Sequence, residues 1–147
     1  MRYNNLRSSI WFTRSYVLMA VFQTNLVIYT HTDFEQTFVL EDSQSNSAKD
    51  LTGFTGVARM KPQFQGVILG DVKGFTLAFT NRTLGKIRMS AAASDTANFK
   101  VGKHFYDIVL TNADGISERV IEGIVIVKQP VTWPSPPPEN PFTPQVP

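Results

Sequence analysis

At 147 residues, with 42% hydrophobic and only 18% charged residues, the chain is long enough to bury one core and carries fewer charges than an average soluble domain. The net charge of +2 belongs to the leader, because residues 1 to 18 hold Arg2, Arg7 and Arg14 and no acid, and without their +3 the remainder stands at −1. With no cysteine, a disulfide framework, a thiolate metal site and a cysteine nucleophile are all excluded.

In chain order, the leader comes first. Arg14 precedes the apolar run Tyr16-Val17-Leu18-Met19-Ala20-Val21-Phe22, which imitates a signal peptide but lacks a small-x-small cleavage site and is far too short to span a bilayer. No membrane partner is expected, and Met19 stands beside Met1 as a candidate start. Phe22 to Thr30 then reads as a strand, and Gln36 to Glu41 as another with Phe38 and Leu40 on one face. The polar stretch Asp42 to Asp50 reads as a loop. In Phe54 to Lys61, Gly56, Ala58 and Met60 alternate against Val57, Arg59 and Lys61, and Pro62 is expected to stop the strand.

A hairpin follows, with Phe75, Leu77 and Phe79 on one face of its first strand, a turn at Asn81 to Leu84, and Ile87 and Met89 alternating with Lys86 and Arg88 on its second. Ser94 to Phe99 is long enough for one helical turn, capped by Ser94 or Asp95. His104, Tyr106, Ile108 and Leu110 share one face of the next strand, which ends at the hairpin signal Asp114-Gly115. Ser117 to Lys128 contains the nearly continuous apolar run from Val120 to Val127 and reads as a strand covered on both faces. From Pro130 onward lie eight of the nine prolines, so this end is an extended arm with polyproline character.

Parts for chemistry are few. His31 and His104 sit in no metal-ligand spacing, and His104, on an apolar strand face, reads as a core histidine. Asp33 and Glu35 fall two apart, but paired carboxylates need a cleft to become a glycosidase site. Asp107, Arg119 and Glu122 read as cross-strand or surface charges. Arg82, Lys86 and Arg88 are the nearest approach to a basic cluster, and alternation turns the last two to solvent, so no specific nucleic-acid partner is expected. No phosphate loop, nucleophile elbow or calcium loop is present, and Asn81-Arg82-Thr83 matches the glycosylation sequon. No catalytic residue, metal ligand or cofactor is assigned, and the chain is read as not an enzyme.

Four blocks in order carry a family resemblance. Asp50-Leu51-Thr52-Gly53-Phe54 leads into a strand; Gly85 to Ala91 is followed by Asp95-Thr96-Ala97 and Phe99; Gly102-Lys103-His104-Phe105-Tyr106-Asp107-Ile108 comes next; Asp114-Gly115 with Arg119-Val120-Ile121-Glu122-Gly123 closes a hairpin. Together, over roughly half the chain, they resemble small tailed-phage virion modules similar to the N-terminal domain of phage baseplate upper proteins. His104 stands where that pattern has an aromatic residue. The resemblance implies an all-β, antiparallel, immunoglobulin-like sandwich of about seven to eight strands that works as a virion adaptor without catalytic residues.

The expected organisation is an N-terminal extension over residues 1–19, a β-sandwich over 20–128 and a proline-rich arm over 129–147. The expected role is a structural subunit in the tail, baseplate or neck of a tailed phage, located in the virion and assembled in the host cytoplasm. Its partners would be other virion proteins and further copies of itself in a symmetric assembly. Trp11, Phe12, Tyr16, Trp133 and Phe142 are the candidate partner contacts. A capsid decoration or cement protein, and a carbohydrate- or receptor-binding module, are the alternatives.

Overall fold

The computed structural model describes residues 21–64, 67–68 and 72–132. Within them run β1 (Phe22–Gln23), β2 (Leu26–Tyr29), β3 (Phe34–Val39), β4 (Thr55–Phe64), β5 (Val67–Ile68), β6 (Lys73–Asn81), β7 (Lys86–Ala91), a single helical turn α1 (Ala93–Thr96), β8 (Gly102–Thr111) and β9 (Ser117–Lys128). The protein is all-β, as the alternation predicts. The strands form one hydrogen-bonded sheet in the order β1-β9-β8-β4-β6-β7-β3, with β2 also on β9 and β5 on β4.

This sheet cannot lie flat. Laid flat, the seven strands of the path would put β3 about 29 Å from β1, at roughly 4.8 Å per neighbour. Yet β2, on the same side of β9 as β1, is joined to β3 by residues 30–33 alone, a link that reaches at most about 19 Å. The sheet therefore doubles over. The fold line runs through β6, whose first residues Lys73–Phe75 pair with β4 and whose remainder, from Thr76 to Asn81, pairs with β7. Both halves feed one core: Ile28, Met60, Ile108, Leu110, Ile121 and Val125 from one, Phe38, Ile87 and Met89 from the other. Each such side chain contributes roughly 1.5–3 kcal/mol through removal from water.

Two sets of contacts pin the doubled sheet at its ends. At one end, Asp33 Oδ1 accepts from the backbone N–H of Ala93 at 2.7 Å, and the buried Thr96 donates its hydroxyl to the Thr32 carbonyl at 2.7 Å. At the other, Lys49 Nζ donates to Glu118 Oε1 at 2.6 Å, and Arg82 donates to the carbonyls of Leu51 and Phe54 at 2.9 and 2.8 Å while its guanidinium stacks 4.0 Å from the Phe79 ring. Gly85 completes this end. Its φ of 67° suits glycine, and a side chain there would run into the Leu40 carbonyl.

Several expectations are corrected. The ladder is not wholly antiparallel, because β1 and β2 run parallel to β9. Alternation has the same period in either sense, so the sequence pattern carries no sign of it. Pro62 does not stop β4; it lies opposite His104, beyond the last β4–β6 pair at Met60–Lys73, where one side of the strand no longer needs its N–H. The helical turn starts at Ala93, and its cap comes from Asp33, not from Ser94 or Asp95. Finally, from Ile121 onward β9 is paired along both edges, by β8 and by β1 and β2, while Ile124 and Ile126 on its outer face stay partly exposed. Its unbroken apolar run reflects a bulge that turns the consecutive Val120 and Ile121 both inward.

The parallel crossing of β1 into β2 is closely packed. Thr24 donates its N–H to the Glu122 carbonyl at 3.1 Å, Asn25 Oδ1 accepts from Ile124 N at 3.1 Å, and the buried Tyr106 hydroxyl donates to the Thr24 carbonyl at 2.8 Å. A Cβ on Gly123 would collide with that same carbonyl. Gly123→Ala is expected to lower stability by roughly 2–4 kcal/mol in urea unfolding. Burial of Tyr106 raises its pKa above the ordinary tyrosine value. Folding thus favours the protonated phenol, and its contribution is complete below about pH 10 and lost as the pH rises further toward the folded pKa. Stability followed through alkaline pH is expected to fall more steeply for the native chain than for Tyr106→Phe, which itself loses about 1 kcal/mol with the hydrogen bond.

Candidate assembly surface

Trp11, Phe12, Tyr16, Trp133 and Phe142, the partner contacts expected from sequence, all lie outside the described residues. The described residues offer a different surface, the outward face of β2, β9, β8 and β4. Alternation turns Leu26, Ile28, Val125, Val127, Tyr106, Ile108, Ala58 and Met60 inward, so the residues between them must face out. Those residues are unusually apolar.

Ladder register makes the outward residues neighbours. Val27 lies opposite Ile126, Ile124 opposite Phe105, and Val57 opposite Val109. Val27 and Val57 are each about half exposed, at 47% and 48%, and Tyr29 extends the band at the next outward position of β2. Scattered exposed apolar residues are ordinary, but here Val27, Ile126, Ile124 and Phe105 adjoin across β2, β9 and β8, and the Val57–Val109 pair of β4 and β8 forms a second apolar row. Lys103 lays its stem along this patch, with Nζ 5.6 Å from the Phe105 ring centroid.

Between the apolar rows runs a charged one. Arg59 lies opposite Asp107, and Asp107 opposite Glu122, so two carboxylates face each other across β8 and β9. Like charges in that position repel, and arginines bracket them: Arg59 on one side and Arg119, 3.5 Å from Glu122 Oε1, on the other. An open cleft of about 750 Å³ lies here, lined among others by Asn25, Arg59, Phe105, Asp107 and Glu122. The combination is an apolar surface with a polar row and a shallow cleft, suited to protein contact.

The residues weighed for chemistry are engaged elsewhere. Asp33 caps α1, while Glu35 lies 3.6 Å from Arg88, so the two carboxylates form no pair facing a cleft. His104 is buried at the start of β8 and its Nε2 donates to the Lys100 carbonyl at 2.6 Å, whereas Nδ1 has no partner among the described residues. His31 occupies the β2–β3 turn with φ 63°. Asn81 of the sequon accepts from Leu84 N and the Thr83 hydroxyl, closing the β6–β7 turn. Among the described residues no group of three or more His, Cys, Asp or Glu side chains could hold a metal ion, and no helix is long and apolar enough to cross a membrane.

No protein-family model matches the chain, and no curated protein matches it. Solved structures do. The fold is similar to the N-terminal domain of phage TP901-1 ORF48, with 15% sequence identity and a TM-score of 0.42, over 75% of this chain and 99% of that one.

Sequence reasoning missed the outer face for a clear reason. Alternation marks which residues share a face, and only the register shows that the exposed valines and isoleucines of four distant segments adjoin. The apolar run of β9 is the available signal, but the same run is the pattern of a strand buried on both faces. Val27→Thr and Val57→Thr are each expected to leave stability within roughly 0.5 kcal/mol of the parent in urea unfolding, since neither side chain reaches the core.

Proposed function

We propose that the chain is a non-enzymatic structural subunit of a tailed-phage virion, an adaptor in the tail, baseplate or neck that holds neighbouring proteins. One observation carries the reading: the four sequence blocks that resemble the phage virion modules fall on the parts that shape this fold. Asp50 receives the N–H and hydroxyl of Thr52 at 2.9 and 2.6 Å and sets the turn before β4, and Leu51 beside it is wholly buried. Gly85 to Ala91 is the turn glycine and β7; Thr96 and Phe99 close the α1 end of the core. The third block starts β8. The last is the β8–β9 hairpin, whose turn is organised by Asn112 Oδ1 accepting from Asp114 N and Ile116 N, with Gly115 at φ 83°.

In this reading the β-domain of residues 20–128 is a rigid body, and residues 1–19 and 129–147 are extensions that grip neighbours. Trp11, Phe12, Tyr16, Trp133 and Phe142 are their contact residues. The apolar outer face gives the body a surface of its own to share in a repeated assembly, where modest contacts per copy add up through avidity. Neither a cofactor nor a specific nucleic acid enters the role.

The test is mass spectrometry of purified particles. Stoichiometric presence of this chain at a few tens of copies or fewer is expected, and its absence sinks the proposal. Hundreds of copies would instead favour a capsid decoration protein.

A further inference from the structure

The outer face is complementary to itself along one line. Paired residues of neighbouring strands point to the same side, so the β4–β8 ladder sets outward pairs in succession: Thr55 with Thr111, Val57 with Val109, Arg59 with Asp107, and Lys61 with Phe105. Each pair joins residues that attract: hydroxyl with hydroxyl, valine with valine, cation with carboxylate, cation with aromatic ring. Val57, Arg59 and Lys61 are exposed, Val57 at 48%.

A second copy laid on this face about a two-fold axis, running along the strands between β4 and β8, sets each β4 residue over the β8 residue of the same pair in the other copy. Arg59 then faces the partner's Asp107, Val57 the partner's Val109, and Lys61 the partner's Phe105. Sheets packed face to face lie about 10 Å apart, a gap that an arginine and an aspartate reaching from opposite sides bridge. Other placements fail on charge. An axis along β8 stacks Asp107 on itself, and one between β8 and β9 sets Asp107 over Glu122. An axis across the strands, at or beside the charged row, sets Arg59 over itself, over Lys61 or over the apolar Val57. Like charges facing one another, or a charge facing only a valine, disfavour those arrangements.

We propose that the outer face is a self-association surface, on which two copies of the chain pack β4 and β8 against each other about this axis. The valines and Phe105 supply the affinity, and the quartet of two arginines and two aspartates fixes the register, because desolvation offsets much of its attraction. The eight pairs of the ladder run about 27 Å, and one flanking strand on each side makes the footprint about 19 Å wide, of order 500 Å². A standard interface buries roughly 800 Å² per partner, so the isolated chain associates weakly, with a dissociation constant on the order of ten micromolar or above. The pairing rests on register and charge alone. The purified chain reports on it, whereas the virion role is read from particles.

Sedimentation equilibrium of the full chain, over a range of concentrations reaching about 1 mM, is expected to show a reversible dimer. Arg59→Asp and Asp107→Arg each set like charges across the axis and are expected to weaken self-association about tenfold or more. Mixed in equal amounts, the two variants are expected to recover dimers of near-native affinity, since the acids of one then meet the arginines of the other. Within each chain the like-charge neighbours persist, so the recovery comes from contacts between copies. A native chain that stays monomeric throughout overturns the proposal. So does a dimer that neither substitution weakens, or a mixture of folded variants that remains monomeric. Should a charge variant fail to fold, Val57→Lys, which sets a cation over the partner's Val109, is expected to weaken the dimer to a similar degree, and an unchanged dimer overturns the proposal.

Discussion

The architecture depends on how β1 and β2 lie along β9. In a chain of hairpins, β9 would be an exposed edge of high apolar content, open to pairing with other chains. Instead the segment from Phe22 to Tyr29 runs parallel to it, and three hydrogen bonds at Thr24 and Asn25 hold the crossing. The arrangement works because Gly123 leaves room for the Thr24 carbonyl and Tyr106 supplies a buried hydroxyl to satisfy it. A carbonyl that close to the core without a donor would cost about 1–3 kcal/mol, comparable to a sizeable part of a small domain's net stability.

Doubling of the sheet follows from that crossing. Once β2 is fixed on β9, the short link to β3 forces the far edge of the sheet to come round, and α1 is drawn in to cap the corner. Asp33 and Thr32, in the link itself, receive the N–H of Ala93 and the hydroxyl of Thr96, so one turn of helix braces the place where the chain changes halves. A four-residue helix has almost no stability of its own. Its role is to bring donors to the link, which explains why the cap lies far away in sequence.

Alternation read the strands well, and the reasons for its failures are physical. The faces of β4, β6, β7 and β8 followed directly from period two, and the turns at Asn81 to Leu84 and Asn112 to Gly115 from their residues. Parallel pairing, the remote cap and the continuation of β4 through Pro62 depend on which segments become neighbours, and local pattern holds no record of that. Arg82 shows the same limit. Counted with Lys86 and Arg88 it resembles the start of a basic patch, but its guanidinium is turned onto two backbone carbonyls and a phenyl ring. Of the candidate assembly surface, the separate apolar outward residues are visible in sequence, while their cross-strand register is not.

The polar side chains that a catalytic reading would need are largely the ones that hold this fold. Tyr106, Asp33, Thr96, Arg82 and the Lys49–Glu118 pair each join segments distant in sequence, and His104 contributes one ring nitrogen to the Lys100 carbonyl. A group recruited to fix the backbone has its orientation set by that task, and its removal is felt first as lost stability. What remains outside those ties is of another kind: an apolar face crossed by one charged row, and two chain ends rich in aromatic residues and proline. In the proposed role these are the features that meet other polypeptide, through area and register. Under the proposed role, a substitution on the outer face alters assembly while leaving the fold intact.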